Sequence, residues 1–143
     1  LVARGHVPTR RAAFESILHP RSGYDEPHYA PEPLTAVKLV RAAGGVPVLA
    51  HPGTRGRDAV VPDSEMKMLV DAGLFGLEIH HRENTESGRE RLYELASKYG
   101  LVVTGSSDYH GEGKPNRLGE NTTAPEVLAR IIAGATGSAP FNG

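Results

Sequence analysis

Asp108-x-His110 sets a carboxylate and an imidazole two residues apart. In an extended stretch residues i and i+2 point the same way, so the pair would face one point, which suits a divalent cation. His51, followed by Pro52-Gly53, is a third candidate ligand. Three protein ligands with one position left for water form the pattern of a catalytic metal site, where the cation lowers the pKa of bound water. Glu78 alternates with Leu77 and Ile79 and shares a strand face with His80. A buried Glu is costly unless paired, so it is either a site residue or satisfied by an Arg or a backbone donor. Of His80 and His81, which precede Arg82, at least one reads as a solvated loop residue. His6, His19 and His28 read as structural or surface residues. Lys114 and Arg117 follow the Asp-x-His loop and, with Ser106, are candidate phosphate contacts; for each cation a solvated loop side chain is the commoner reading. The candidate catalytic residues are Asp108, His110 and Glu78, and the candidate metal ligands are His51, Asp108 and His110.

These residues need elements that gather them. Leu34, Val37 and Val40 predict a helix ended by Gly44-Gly45. Val46 to Ala50 is a short apolar run, a buried strand with Pro47 near its start. Asp63 or Ser64 caps a helix carrying Met66, Leu69 and Val70, and Phe75 to Ile79 is a second strand. Glu86 to Tyr99 is a helix with Leu92, Leu95, Ala96 and Tyr99 on one face, and Leu101 to Thr104 is a third strand. Pro125 opens a last helix carrying Val127, Leu128, Ile131 and Ile132. Short apolar strands separated by helices predict an α/β protein of parallel βα units. In such folds sites are built at the carboxyl ends of the strands. His51, His80, His81 and His110, four of the seven histidines, fall at those ends. Residues 1–32 read differently, as a short helix from Thr9 to Leu18 and then an extended, proline-rich linker from Asp25; residues 33–143 hold the βα units.

Composition bounds the function. The 143 residues suffice for one domain and a real core. Sixteen Lys and Arg against 17 Asp and Glu give a net charge of −1, without the basic footprint of a general nucleic-acid binder. With no cysteine, thiol catalysis, disulfides, iron–sulfur clusters and Cys-zinc sites are excluded. No apolar run approaches the ~18–20 residues that span a bilayer, and no signal peptide is recognisable, so a cytoplasmic protein is expected. No Walker sequence and no G-x-G-x-x-G after a strand is present.

Ala43-Gly44-Gly45-Val46-Pro47-Val48-Leu49-Ala50-His51-Pro52, then Gly76-Leu77-Glu78-Ile79, then Thr104-Gly105-Ser106-Ser107-Asp108-Tyr109-His110-Gly111, then Leu118-Gly119, resemble the PHP (polymerase and histidinol phosphatase) superfamily. The resemblance is to its stand-alone metal-dependent phosphoesterases and covers nearly the whole chain. It implies a distorted (β/α)7 barrel with two or three divalent metals, zinc, manganese or iron. It also implies that His51 is a late metal-ligand histidine and that Asp108 and His110 are the final ligands. Family members hydrolyse phosphate esters, including nucleotides and short oligonucleotides.

The family's opening His-x-His is missing, the chain starts at Leu1, and its methionines are Met66 and Met68. It is also short of the roughly 250 residues of a barrel. The expectation is therefore a carboxyl-terminal half-barrel, with the end of a small helical insertion over 1–32. Such a piece is inactive alone, belongs to an enzyme when whole, and is prone to homo-oligomerise through exposed edges. Two other readings stay open: a degenerate PHP domain acting as an interaction or regulatory module, and an amidohydrolase-type hydrolase.

Overall fold

The computed structural model describes residues 1–24 and 29–139. His28 and the start of the proline-rich segment, Asp25 included, lie outside the described residues. The chain divides into two compact units, Leu1–Pro31 and Glu32–Gly143.

In the first unit a 3-10 turn, Val2–Arg4, precedes helix α1, Arg10–Glu15. The Thr9 side chain caps α1 by accepting from Ala12 N at 3.1 Å. The sequence predicts this helix through Leu18; it stops three residues earlier. Ser16 leaves the helical region (φ −129°, ψ −91°), its hydroxyl donates back to Ala12 O, and Leu18 N reaches Ala13 O at 2.8 Å. A side chain that competes for helix carbonyls ends the helix. Phe14 is exposed, while Ala13 is buried.

The second unit is a three-stranded, all-parallel sheet in the order β1-β2-β3, interleaved with helices. Helix α2, Pro33–Ala42, leads into β1, Val48–Leu49. Helix α3, Asp63–Asp71, leads into β2, Gly76–His80. Helix α4, Glu86–Tyr99, leads into β3, Val102–Gly105, and helix α5, Pro125–Gly134, follows. The predicted order of helices and strands is the observed one. Strand β1 is shorter than the predicted Val46–Ala50, although Phe75 N still bonds Pro47 O at 2.9 Å just before it. Pro47 has no N–H to give, so the ladder is one-sided there. Among the described residues no helix is long and apolar enough to cross a membrane.

One apolar cluster holds this unit. Leu77 and Ile79 on β2 and Leu92 and Leu95 on α4 are fully buried, and Met66 and Leu69 of α3 and Val37 of α2 pack with them. The central strand is buried on both faces, as a parallel sheet requires. Gly76 is dictated by β3, because a Cβ there would stand 2.5 Å from Val102 Cγ2 and 2.9 Å from Val102 O. Thr85 caps α4 by accepting from Gly88 N at 3.0 Å, and Gly100 closes it at φ 65°.

Candidate active site

All three strands run the same way, so their carboxyl ends share one rim of the sheet. The chain leaves β1 into Ala50-His51-Pro52-Gly53, leaves β2 into His81-Arg82-Glu83-Asn84, and leaves β3 into Ser106 to His110. Among the described residues, His51 and Asp108 are the two non-glycine residues with positive φ, 29° and 46°. Such conformations cost of order 1–3 kcal/mol and persist where the surroundings over-determine them. The surroundings here do so at both positions.

At His51 the backbone N–H donates to Glu78 Oε2 at 3.0 Å. Two residues on, Gly53 is held through both backbone groups. Its N–H donates to Asn84 Oδ1 at 2.9 Å, and its carbonyl accepts from Thr85 N at 3.1 Å and Thr85 Oγ1 at 3.2 Å. Asn84 is buried, and its amide nitrogen donates to Glu78 O and Ile79 O, both at 3.0 Å. One side chain thus ties the β1 loop to the end of β2. The pairing of β2 with β3 is irregular between Glu78 and His80, the stretch whose carbonyls Asn84 takes. His80 faces outward, solvent-exposed, and His81, in alternation with buried Leu77 and Ile79, faces inward, 1% exposed. The solvated member of the histidine pair is therefore His80.

His51, Glu78 and His81 each bring a ligand atom within 4.8 Å of the others. The His51 and His81 rings lie 4.5 Å apart between centroids, tilted by 32°. From β3, Asp108 Oδ2 comes within 3.8 Å of His81 Nε2. Asp108 Oδ1 pairs with His110 Nε2 at 2.8 Å, and Lys114 donates to Asp108 Oδ2 while lying 3.5 Å from Glu83. The Lys114 ammonium, then His110, hold the Asp108 carboxyl down from 3.8 to about 2, so it is ionised at neutral pH. The same contact raises Lys114 above its ordinary 10.5.

The stretch carrying Asp108 and His110 is not extended. Asp108 takes a left-handed turn, with its N–H on Ser106 Oγ at 3.1 Å, and buried Asn116 holds Ser107 O at 2.9 Å. The two side chains meet through a direct hydrogen bond rather than by strand alternation. Ser106 is thereby engaged in the turn. Arg117 is exposed and faces Glu120 at 3.6 Å, so the structure does not bring it to the cluster. Glu78 has the backbone donor the sequence asked for, and it also stands in the His/Glu group. Asn84 escapes the sequence reading, which places His81 at a strand end without a role of its own. The signal available for them was position: they frame the turn between β2 and the Thr85 cap of α4.

An ionised carboxylate with imidazoles and no thiolate is a donor set that zinc, manganese or iron accepts. An open cleft of about 440 Å³, lined by Ser106, Ser107, Asp108, Tyr109, Leu118 and Asn121 among others, adjoins it.

No family model matches the chain. A phosphoribosyl 1,2-cyclic phosphate 1,2-diphosphodiesterase of Eggerthella lenta is 46% identical over 77 residues, 54% of this chain and 28% of the relative. A 3',5'-nucleoside bisphosphate phosphatase of Chromobacterium violaceum is 27% identical over 133 residues, 92% of this chain and 46% of the relative. Among solved structures, one from Bifidobacterium adolescentis, assigned as a metal-dependent phosphoesterase, superposes with a TM-score of 0.81 at 39% identity, over 95% of this chain and 48% of that one. The chain is similar to proteins named as metal-dependent phosphoesterase, phosphodiesterase and phosphatase. A Chromobacterium violaceum protein named as an amidohydrolase, solved with sulfate and no metal, matches with a TM-score of 0.57 at 26% identity, over 95% of this chain and 50% of that one. The chain spans less than half the length of the two curated relatives.

Proposed function

We propose that the protein carrying this chain is a metal-dependent phosphoesterase acting on small phosphorylated substrates, nucleotides or short oligonucleotides. The observation that carries the reading is the convergence of His51, Glu78, His81 and Asp108 from three parallel strand ends onto one rim. His51, Asp108 and His110 would hold the metal, and Glu78 fixes the His51 backbone. A divalent metal bound there supplies a Lewis acid for phosphoryl oxygens and lowers the pKa of its water. Asp108, ionised and already paired with a cation, needs no proton loss to serve as a ligand. Lys114, released from Asp108, would neutralise charge on the phosphoryl group. Ser106 and Arg117 are further proposed phosphate contacts. The cleft volume falls within the range of small-molecule sites.

The proposed architecture is the carboxyl-terminal half of a distorted (β/α)7 barrel, a reading supported by the share of each relative that the chain spans. On this reading the 143 residues alone are inactive, because the remaining metal ligands come from the half they do not match.

The test assays the chain alone, then mixed with the separately expressed amino-terminal half of a relative, against nucleotide and cyclic phosphate esters and against amides. Hydrolysis of phosphate esters by the mixture alone, abolished together with bound metal by Asp108→Ala, is the expected result. Amide hydrolysis instead would favour the amidohydrolase reading, which the name of one solved neighbour suggests.

A further inference from the structure

The proposed metal set leaves one group of the rim without a task. His81 is 1% exposed, and its Nε2 is buried without a hydrogen-bond partner among the described residues. Leaving such a group unmade costs about 1–3 kcal/mol, so an orphan aimed into a site marks a place where something else completes the bond. The other ring nitrogen says what kind of partner that is. His81 Nδ1 accepts a hydrogen bond from the backbone N–H of Glu83 at 3.2 Å. A neutral imidazole has one lone-pair nitrogen and one N–H. With the lone pair at Nδ1 engaged by a backbone donor, the proton resides on Nε2. That nitrogen then has no lone pair for a metal. It is a donor, and it points towards Asp108 Oδ2, 3.8 Å away, beyond hydrogen-bond range. The Nε2–H bond is therefore left for another acceptor to complete.

The turn fixes this arrangement. His81 N donates to Ile79 O at 2.9 Å and His81 O accepts from Asn84 N at 3.2 Å, so the backbone cannot rotate the ring without breaking both. The His51 ring stacks on it at 4.5 Å and closes the remaining side.

We propose that His81 is a neutral hydrogen-bond donor, through Nε2–H, to an oxygen of the bound phosphoryl group, and not a ligand of the metal. The proposal rests on the phosphoesterase reading for the identity of the acceptor. It divides the imidazoles of the rim by role: His51 and His110, with Asp108, towards the cation, and His81 towards the substrate anion. It adds a fixed donor without adding positive charge beside Lys114.

Long-range proton–nitrogen NMR on the nitrogen-15-labelled 143-residue chain reads the tautomer directly. Nδ1 of His81 should be unprotonated and Nε2 protonated, and titration with Zn2+ should shift His51 or His110 while the His81 pattern persists. Loss of the Nε2 proton on adding Zn2+ would make His81 a ligand and overturn the proposal. Inorganic phosphate, added next, should move the His81 Nε2–H signal. His81→Gln, whose amide keeps a donor at similar reach, should retain phosphate affinity within about threefold. His81→Phe should lose about tenfold or more, with bound zinc and cooperative unfolding kept in both variants. Equal phosphate affinity in the two variants, or no phosphate response in the wild type, overturns the donor role. Failure of Zn2+ to move any histidine counts against the metal reading alone, since the tautomer and the phosphate response are read without it.

Discussion

At the scale of single residues, the rim is set by side chains that bond backbone. Asn84 reaches three backbone groups, one on the β1 loop and two on β2, and it does so from burial. Asn84→Ala should cost about 1–3 kcal/mol by stranding the Gly53 N–H, and it should weaken zinc binding more than an equally destabilising core change such as Leu92→Ala. Calorimetry with Zn2+ beside thermal unfolding separates the two effects. The sequence displayed the chemistry of Asp108, His110, His51 and Glu78 because their types and strand-end positions are visible in one dimension. It did not display the role of Asn84, because that side chain joins Gly53 to Glu78 and Ile79, which only the fold brings together. It also misjudged how Asp108 and His110 meet, since alternation assumes an extended backbone and Asp108 has φ 46°.

At the scale of elements, periodicity and caps were enough. Thr85 and Gly100 bound α4 where the sequence placed them, and the apolar spacing of Leu92, Leu95 and Ala96 is the buried face. Elements ended by side-chain competition, such as α1 at Ser16, were not legible, because the competing bond is made only once the turn forms. The contact of α3 with α4 is polar at its edge. Asp63, in the first turn of α3, receives Lys98 Nζ at 2.8 Å on both carboxylate oxygens and Tyr99 Oη at 3.0 Å. Lys98, then Tyr99, hold the Asp63 carboxyl below its ordinary 3.8. A depressed folded-state pKa contributes stability above the unfolded value and loses it as pH falls through the folded one. Acid melting should therefore show a component below about pH 3.8 that Asp63→Asn removes, seen in thermal midpoints measured from pH 2 to 6. In the sheet, Gly105→Ala would press a Cβ to 2.5 Å from Thr122 O. It should cost about 1–3 kcal/mol in denaturant unfolding.

For the whole molecule, the core of the second unit is drawn entirely from residues 34–103. A chain beginning at Glu32 should therefore unfold cooperatively, with the same midpoint as the 143-residue chain, by circular dichroism. Leu77→Ala in either chain should cost about 2–5 kcal/mol. Among the described residues the outer strands β1 and β3 each pair only with β2, and Leu128 and Ile132 of α5 are 52% and 44% exposed. Unpaired edges and apolar surface favour association. Sedimentation at rising concentration should show species heavier than the 15.3 kDa chain.

The double hold on Gly53 has a consequence for how this rim can vary. With its amide and carbonyl both spoken for, and with a Cβ on Gly88 only 2.3 Å from its oxygen, the span from Leu49 to Gly53 has a fixed length. Insertions or deletions between β1 and α3 must fall beyond Thr54, where lengthening the loop would leave the histidine's aim untouched.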